Sequence, residues 1–263
     1  MTRTFTALIT ATLLGLSLAP VASAIENGKA DRWHRNVGAL GFRTFITGNT
    51  LVHGRCSGFV ISDRAFVTAA HCFDDVEAIA TSWEVTLKPG KPGNPVIAPG
   101  LLAADLSNAL EFPILVETVA AIGYQRHPNP AIDIAVLEFP AGTFKQHPVR
   151  LARTGFLDRL ARSGALFHVP VGLSGYGADS FDPASNTFTI PGYRKRGFTG
   201  VSAVTDTHVT LAANEVFNST AMPADSGGPN FIAGRVVSLV GLSFDSPRLD
   251  TQEVRNFLAP YLD

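Results

Sequence analysis

The chain has 263 residues, 22 acidic and 21 Lys or Arg side chains, and a formal net charge of −1. This balance gives no electrostatic basis for binding nucleic acid or an anionic membrane surface, so neither partner is expected. Even without its first 24 residues, the chain is long enough for one large or two modest domains with a buried core.

Residues 1–24 have the features of a secretory signal peptide. Arg3 supplies a charged start, residues 7–18 form an apolar run, and Ala22-Ser23-Ala24 is a small-residue cleavage site. The run is too short to span a bilayer comfortably, which disfavours the alternative of an N-terminal membrane anchor. We therefore expect a secreted, extracellular or periplasmic protein that makes no membrane contact after signal removal.

Short apolar segments separated by Gly, Pro and Asn predict an all-β barrel or sandwich. The predicted strands are residues 37–42, 58–62, 83–87, 135–139, 166–173 and 236–241. Helical periodicity is confined to the C-terminus, where Asp250 followed by Glu253 predicts a capped helix through Tyr261. The one basic cluster, Arg194-Lys195-Arg196, is interpreted as a solvated strand or turn.

Cys56 and Cys72 are the only cysteines, and such an even pair in a secreted chain predicts one disulfide, which would close the loop that carries His71. A metal or redox role for the pair is the weaker alternative. No HExxH-like or Cys/His spacing involves the remaining histidines, so we expect no metal and no other cofactor. Those histidines are His34, His53, His127, His147, His168 and His208.

Three separate segments carry the residue types of a nucleophilic mechanism. Ser226 stands in Asp-Ser-Gly-Gly-Pro, a sequence that can present a hydroxyl from a tight loop, although a plain Gly/Pro turn is the alternative interpretation. His71 follows an apolar run that begins at Ala65 and indicates a buried strand, and it is the candidate base. Asp133 lies in an apolar segment, where an ionised carboxylate is costly unless a donor such as an imidazole N–H compensates it. The order His71, Asp133, Ser226 is one of the known chain orders of the serine triad.

These segments resemble those of secreted trypsin-like serine proteases, which have the chymotrypsin fold. Four further segments fit the family: Cys56-Ser57-Gly58-Phe59-Val60-Ile61, Ser174-Gly175-Tyr176-Gly177, Ile25-Glu26-Asn27-Gly28 at a mature N-terminus, and residues 230–243. The resemblance covers nearly all of residues 25–263.

The resemblance implies an all-β fold with two six-stranded antiparallel β-barrels of chymotrypsin type and a short C-terminal helix. Residues 25–155 would form the barrel that carries His71 and Asp133. Residues 156–263 would form the barrel that carries Ser226, together with the helix. The chemistry would then take place in the cleft between the two barrels.

The resemblance also implies a serine endopeptidase that works through an acyl-enzyme. Ser226 would attack the peptide carbonyl, His71 would transfer the proton, and Asp133 would fix the imidazole tautomer. The N–H groups of Ala224 and Ser226 would bind the oxyanion. The family usually has glycine at the Ala224 position, and alanine at positive φ is strained by about 1–2 kcal/mol, which predicts low or inducible activity.

Two further devices follow from the resemblance. The ammonium of Ile25, exposed by cleavage after Ala24, would pair with Asp225, so that signal removal alone would yield the active form. Thr220 would form the floor of the primary substrate pocket, with Gly241 and Ser243 on its wall. Because Thr220 is uncharged, a small or medium apolar substrate side chain is expected instead of Arg or Lys, unless Asp245 reaches the pocket.

The partners implied are protein or peptide substrates, with a proteinaceous inhibitor as a further class, and the protein is expected to be a monomer. Two other functions stay open. One is a protease-fold binding module with weak or no turnover. The other is an esterase or lipase, which would have Gly-x-Ser-x-Gly and the order Ser, Asp, His.

Overall fold

A computed structural model describes residues 25–46, 49–74, 76–78, 80–88, 96–99, 117–182, 184–185, 187–242 and 245–262. The predicted signal peptide lies outside these residues. Across the described ranges, none of the helices has the length and apolar character needed to cross a membrane.

The described chain is built mostly of β-strands. In chain order they are β1 (Lys29–Ala30), β2 (Val37–Ile46), β3 (Asn49–Ser62), β4 (Ala65–Thr68), β5 (Ser82–Thr86), β6 (Val96–Pro99), β7 (Val119–Ala120), β8 (Gly123–Arg126), β9 (Ala135–Glu138), β10 (Val171–Gly175), β11 (Ser180–Asp182), β12 (Thr187–Ile190), β13 (Lys195–Val204), β14 (His208–Ala212), β15 (Pro229–Ile232), β16 (Arg235–Leu239) and β17 (Asp245–Pro247). The helices are α1 (Phe156–Arg162) and α2 (Gln252–Leu258), and 3-10 turns occur at Ala70–Phe73, Ala165–His168 and Ala259–Tyr261.

Two curled antiparallel sheets hold most of these strands. The first has the order β7-β5-β2-β3-β4-β9-β8, and the second has the order β16-β15-β10-β13-β14-β17, with β1 added on β13. In each sheet one strand, β7 or β1, has only two residues, so six longer strands remain. The all-β, chymotrypsin-type fold with a short C-terminal helix is therefore confirmed.

A third, small sheet links sequence regions from the two halves of the chain. It has the order β11-β12-β6, and β6 pairs antiparallel with β12 from Val96↔Ile190 to Pro99↔Thr187. The predicted domain boundary at residue 155 stays a prediction.

The C-terminal helix packs on the core of the first sheet. Val254 and Leu258 of the helix and Tyr261 after it join the buried cluster that contains Phe59 of β3 and Phe66 of β4. A separate core under the second sheet includes Ile25, Leu173 and Leu211. The first core therefore depends on residues from both ends of the described chain.

Three predictions of secondary-structure elements need correction, two for helices and one for a strand. α1 was not predicted, because seven residues with one buried apolar side chain, Leu157, give too short a periodic pattern. The N-cap of α2 is Thr251, whose hydroxyl accepts the Val254 N–H at 3.2 Å, and not Asp250. The predicted strand 166–173 begins only at Val171, because a 3-10 turn and Pro170 precede it.

The interpretation of the basic cluster as solvated is wrong for two of its three residues. Arg194 is 1% exposed and Lys195 is 3% exposed. Arg194 donates through Nη1 to the Val37 carbonyl at 2.9 Å, and its Nε lies 3.8 Å from the Asp31 carboxylate. Lys195 Nζ donates to Asp179 at 2.5 Å. These partners are distant in sequence, so charge clustering alone could not reveal them.

Candidate active site

His71 and Asp133 form a hydrogen-bonded pair between two neighbouring segments of the first sheet. His71 lies in the 3-10 turn after the fully buried strand β4, and Asp133 lies in the loop just before β9, which pairs with β4. His71 Nδ1 is 2.6 Å from Asp133 Oδ2, and the His71 backbone N–H donates to Asp133 Oδ1 at 2.8 Å. Burial would raise the pKa of Asp133, but its hydrogen bonds with His71 outweigh burial and lower that pKa. The carboxylate is therefore held ionised against the imidazole.

Ser226 lies in the turn before β15, and this turn is attached to the segment that carries His71. The Ser226 carbonyl accepts the N–H of Ser57 at 2.8 Å and lies 4.0 Å from Cys72 Sγ, next to His71 in sequence. Within the described residues, Ser226 Oγ makes no hydrogen bond to the His71 ring. The structure thus joins His71 to Asp133 directly and the Ser226 loop to the same region through the backbone.

The loop around Ser226 leaves two backbone donors unused. Among the described residues, neither the Ala224 N–H nor the Ser226 N–H donates to a protein acceptor, and Pro223 has no N–H. The remaining N–H groups of the loop are all bonded: Met222 to Asp225 Oδ2, Asp225 to the Met222 carbonyl, Gly227 to the Val240 carbonyl and Gly228 to the Asp225 carbonyl. The two unused donors are the pair expected for an oxyanion hole.

Ala224 has a φ of 71°. This value lies in the left-handed region, as expected for a position where the resembling family usually has glycine. A residue with a Cβ atom is strained there by about 1–2 kcal/mol. The loop therefore keeps a conformation that its own sequence disfavours, and neighbouring contacts must hold it.

The predicted disulfide joins Cys56 and Cys72 and is confirmed. It connects β3 to the turn that carries His71. Ligand atoms of Cys56, His71 and Cys72 lie within 4.8 Å of one another, but both sulfur atoms belong to the disulfide. A thiolate metal site would require reduction of that bond.

Asp225 is fully buried and lies next to the backbone nitrogen of Ile25. Ile25 is 1% exposed, and its N–H donates to Asp225 Oδ2 at 3.3 Å. Gly177 donates to Oδ1 at 2.8 Å and Met222 to Oδ2 at 3.0 Å. Burial raises the pKa of Asp225 to about 6 although these N–H donors oppose the shift. The site therefore accommodates the carboxylate but leaves its charge poorly compensated.

A cavity of about 510 Å³ opens beside Ser226 and extends into the second sheet. Thr220 and Gly241 line it as predicted, whereas Ser243 lies outside the described residues. Asp245 accepts a hydrogen bond from Thr210 at 2.9 Å and is not among the lining residues. The other lining side chains are apolar or carry hydroxyls: Leu173, Thr199, Leu211, Ala212, Ala213, Ala221, Met222, Pro223, Val240, Leu242 and Ser246.

The sequence prediction missed two sets of site residues. The far wall of the cavity, formed by Leu173, Leu211 and Ser246, comes from strands whose side chains cannot be placed without the fold. Ser57, which bonds the nucleophile loop, stands next to Cys56 in a segment already assigned to the family pattern. Its adjacency to that motif was the only available signal.

Comparison with known proteins supports this fold. The trypsin family model matches residues 35–98. No curated protein matches the chain. Solved structures do match: neuropsin, a serine protease expressed in the limbic system of the mouse brain, has 17% identity and a TM-score of 0.53, covering 90% of this chain and 99% of that chain. Human heparin binding protein has 12% identity and a TM-score of 0.53, covering 89% of this chain and 95% of that chain.

These findings support the trypsin-like, chymotrypsin-fold family, which confirms the resemblance found in the sequence. The family supports a serine-protease-like function. At 17% and 12% identity, the likeness to the solved structures establishes the fold alone. One of those structures is named for proteolysis and the other for binding heparin, so function has to be argued from this chain's own residues.

Proposed function

We propose that the protein is a serine endopeptidase in which Ser226 is the nucleophile, His71 the general base and Asp133 the residue that orients the imidazole. The observation that carries the proposal is the His71–Asp133 pair, joined by hydrogen bonds of 2.6 and 2.8 Å beside the Ser226 loop. An Asp that binds both the ring and the backbone of a histidine holds that ring in one orientation.

The hydrogen bonds of His71 determine the direction of proton transfer. Because Nδ1 donates to Asp133, Nε2 is the ring nitrogen free to accept the Ser226 hydroxyl proton. The Ser226 oxygen then bonds to the substrate carbonyl carbon, and the C–N bond breaks as His71 gives its proton to the leaving amine. Water, activated by His71, hydrolyses the resulting acyl-enzyme. The Ser226–His71 hydrogen bond forms in the substrate complex, since such bonds are often long in substrate-free enzymes.

The N–H groups of Ala224 and Ser226 are proposed to bind the oxyanion. Their lack of protein acceptors within the described loop supports this assignment. One such donor contributes roughly 3 kcal/mol of transition-state stabilisation in other serine proteases. The left-handed Ala224 backbone makes the orientation of its N–H the weakest feature of the site.

Cleavage after Ala24 is proposed to complete the site. In the uncleaved chain the Ile25 nitrogen is a neutral amide, and Ile25 has a φ of 41°, which is unusual for a β-branched residue. Cleavage turns this nitrogen into an ammonium beside Asp225 and removes the constraint on φ. Both changes favour the conformation in which Asp225 and the adjoining Ser226 loop are fixed.

The primary pocket is proposed to accept an uncharged, apolar side chain. No ionisable side chain is among the described residues that line the cavity, and apolar groups make up most of its wall. From the sequence a small or medium apolar side chain is anticipated, and a volume of about 510 Å³ favours medium, branched or aromatic side chains over small ones. Thr220, Gly241 and Ser243 remain the proposed specificity residues.

We also propose where the protein acts, its assembly state, its partners and its domain boundary. The protein is secreted and monomeric, its partners are protein or peptide substrates and a proteinaceous inhibitor, and residues 25–155 and 156–263 form the two barrels. The Cys56–Cys72 disulfide supports an oxidising compartment.

Covalent labelling with a fluorophosphonate, followed by casein and peptide-library cleavage, tests the function. The chain starting at Ile25 should be labelled and should cleave peptides, and Ser226→Ala should do neither. If the chain is labelled and hydrolyses ester substrates but not peptides, the esterase alternative is favoured. A folded chain that is neither labelled nor active would favour the binding module instead.

A further inference from the structure

Ser57 connects the first sheet to the nucleophile loop through its hydroxyl and its N–H. It lies in β3 and is fully buried. Its Oγ donates to the Ala224 carbonyl at 2.9 Å and accepts the Tyr176 N–H at 2.8 Å. Its N–H donates to the Ser226 carbonyl at 2.8 Å, and its carbonyl accepts Thr68 Oγ1 at 2.7 Å. The residue therefore contacts the loop on both sides of Asp225.

These bonds fix the peptide that follows Ala224. The carbonyl of this peptide accepts the Ser57 hydroxyl, and its nitrogen, that of Asp225, donates to the Met222 carbonyl at 2.9 Å. The peptide before Ala224, which carries the Ala224 N–H, is held as well, because the Pro223 carbonyl accepts the Ala178 N–H at 2.8 Å. With the peptides on both sides of Ala224 held, relaxation of φ from 71° to a negative value would have to break one of these bonds, and the bond from Ser57 is the one that a side chain supplies.

The strain at Ala224 makes this restraint necessary. Glycine adopts φ values near 70° without a steric penalty, whereas alanine is disfavoured there. A hydrogen bond inside a protein contributes a free energy of similar size. One buried hydroxyl can therefore decide whether the strained conformation predominates.

We propose that Ser57 is a positioning residue that holds the oxyanion-binding loop in its strained conformation and so compensates for alanine at position 224. The proposal rests on the function proposed above, because it assigns Ser57 a role through the Ala224 and Ser226 N–H groups. Ser57 does not touch the reacting atoms. It raises the fraction of molecules in which the Ala224 and Ser226 N–H groups both point to the oxyanion position.

The kinetic test compares Ser57→Ala with a matched variant, Ser174→Ala. Ser174 is also buried, and its hydroxyl donates to Asp31 at 2.7 Å and, among the described residues, makes no hydrogen bond to residues 222–228. Ser57→Ala should lower kcat about tenfold or more with KM changed less than about threefold, because transition-state stabilisation is lost but substrate contacts stay. Ser174→Ala should keep kcat. Equal losses of kcat in both variants would overturn the proposal.

The second test repeats Ser57→Ala in an Ala224→Gly background, with the Ala224→Gly chain as its reference. Since glycine removes the strain, the loss of kcat should shrink to less than about threefold, and the two substitutions should be non-additive. An undiminished loss contradicts the compensation. If Ser57→Ala folds only in the glycine background, that result supports the proposal; failure to fold in both backgrounds counts against it.

Hydrogen exchange separates this proposal from the proposed function. Ser57→Ala should raise amide exchange in residues 222–228 relative to the unsubstituted chain, and Ser174→Ala should not. This measurement needs no turnover. If the unsubstituted chain is not labelled by the fluorophosphonate but Ser57→Ala exchanges faster, the proposed enzymatic function is rejected and the positioning role of Ser57 is retained. If exchange in residues 222–228 is unchanged, the positioning role of Ser57 is rejected even when the chain is an active enzyme.

Discussion

In the proposed mechanism, Asp133 influences the reaction only through His71, which makes its substitution a test of orientation rather than of charge alone. In Asp133→Asn, the amide can donate to Nδ1, so the imidazole would carry its proton on Nε2 and could not accept one from Ser226. We expect kcat to fall by about 10⁴-fold with little change in KM. Steady-state kinetics on a peptide substrate measures this.

The control for this prediction is Asp182→Asn. Asp182 is an exposed carboxylate whose Oδ2 accepts the Ser185 hydroxyl at 2.6 Å, so its replacement should leave the kinetics unchanged. A loss of less than tenfold in Asp133→Asn would show that His71 does not depend on this carboxylate.

Thr220 offers a test of the pocket at the level of one side chain. A carboxylate introduced by Thr220→Asp would face a cavity with no cation among its described lining residues. Burying that unpaired charge is unfavourable, so cleavage after apolar residues should weaken at least tenfold while cleavage after Arg or Lys should rise. Peptide-library profiles measure the change. The control is Thr220→Asn, because asparagine has nearly the shape of aspartate but no charge, and it should not gain a preference for Arg or Lys. An unaltered cleavage profile in Thr220→Asp would show that Thr220 does not line the substrate pocket.

Arg194 and Arg196 form a matched pair of basic residues in one segment. Arg194 is buried against Asp31, and hydrogen bonds from His34 and Ser174 lower the pKa of this carboxyl despite its burial. Arg194→Ala would remove the buried guanidinium 3.8 Å from the Asp31 carboxylate and the hydrogen bond to the Val37 carbonyl, at a cost of about 3–5 kcal/mol in the free energy of unfolding. Arg196→Ala, at a partly exposed position, should cost less than about 1 kcal/mol. Urea unfolding compares them, and equal costs would contradict a structural role for the Arg194–Asp31 contact.

At the scale of elements, the local sequence pattern was sufficient where one segment determined the outcome. The strand before His71, the β9 segment and the C-terminal helix were predicted, because alternation, apolar runs and caps are encoded within a few residues. Elements that depend on remote partners were not. α1 is held by Asp250, whose carboxylate accepts the Leu157 N–H at 2.7 Å across 93 positions. The burial of Arg194 and the role of Ser57 depend in the same way on contacts that no sequence window contains.

The Cys56–Cys72 disulfide connects two of the predictable elements and should stabilise both. It closes a loop with a sequence separation of 16, and a loop of about 15 residues contributes roughly 3 kcal/mol in the chain-entropy description. We expect the double variant Cys56→Ala/Cys72→Ala to lose about that much stability and to lose activity further through the freed His71 turn. Thermal unfolding and kcat measure the two effects. Full retention of both would contradict a supporting role for the bond.

At the scale of the whole molecule, Ile25 connects the start of the described residues to the nucleophile loop. Ile25 and Asp225 are 200 positions apart, and Ile25 is part of the core under the second sheet. Because Asp225 immediately precedes Ser226, any change in its ionisation or hydrogen bonding acts on the loop directly. Whether the Ile25 nitrogen is an amide or an ammonium should therefore alter how the free energy of unfolding depends on pH.

Burial raises the pKa of Asp225 from an ordinary 3.8 to about 6 while the Ile25 nitrogen is an amide. A raised carboxyl pKa in the folded state stabilises the fold below about pH 4, and this contribution is lost as the pH rises through about 6. A chain that retains Ala22-Ser23-Ala24 before Ile25 should thus lose up to about 3 kcal/mol of stability over that interval. In the chain that begins at Ile25, the ammonium compensates the buried carboxylate, so this fall should be absent.

Urea unfolding of both forms between about pH 4 and 7, in a Ser226→Ala background that prevents self-digestion, tests this expectation. The stability difference between the forms should grow as the pH rises to about 6, in favour of the chain that begins at Ile25. Asp225→Asn in the extended chain should remove the fall, since the buried group can no longer ionise. If the two forms give parallel curves, the nitrogen of Ile25 does not compensate Asp225, and cleavage after Ala24 would have no electrostatic route to the Ser226 loop.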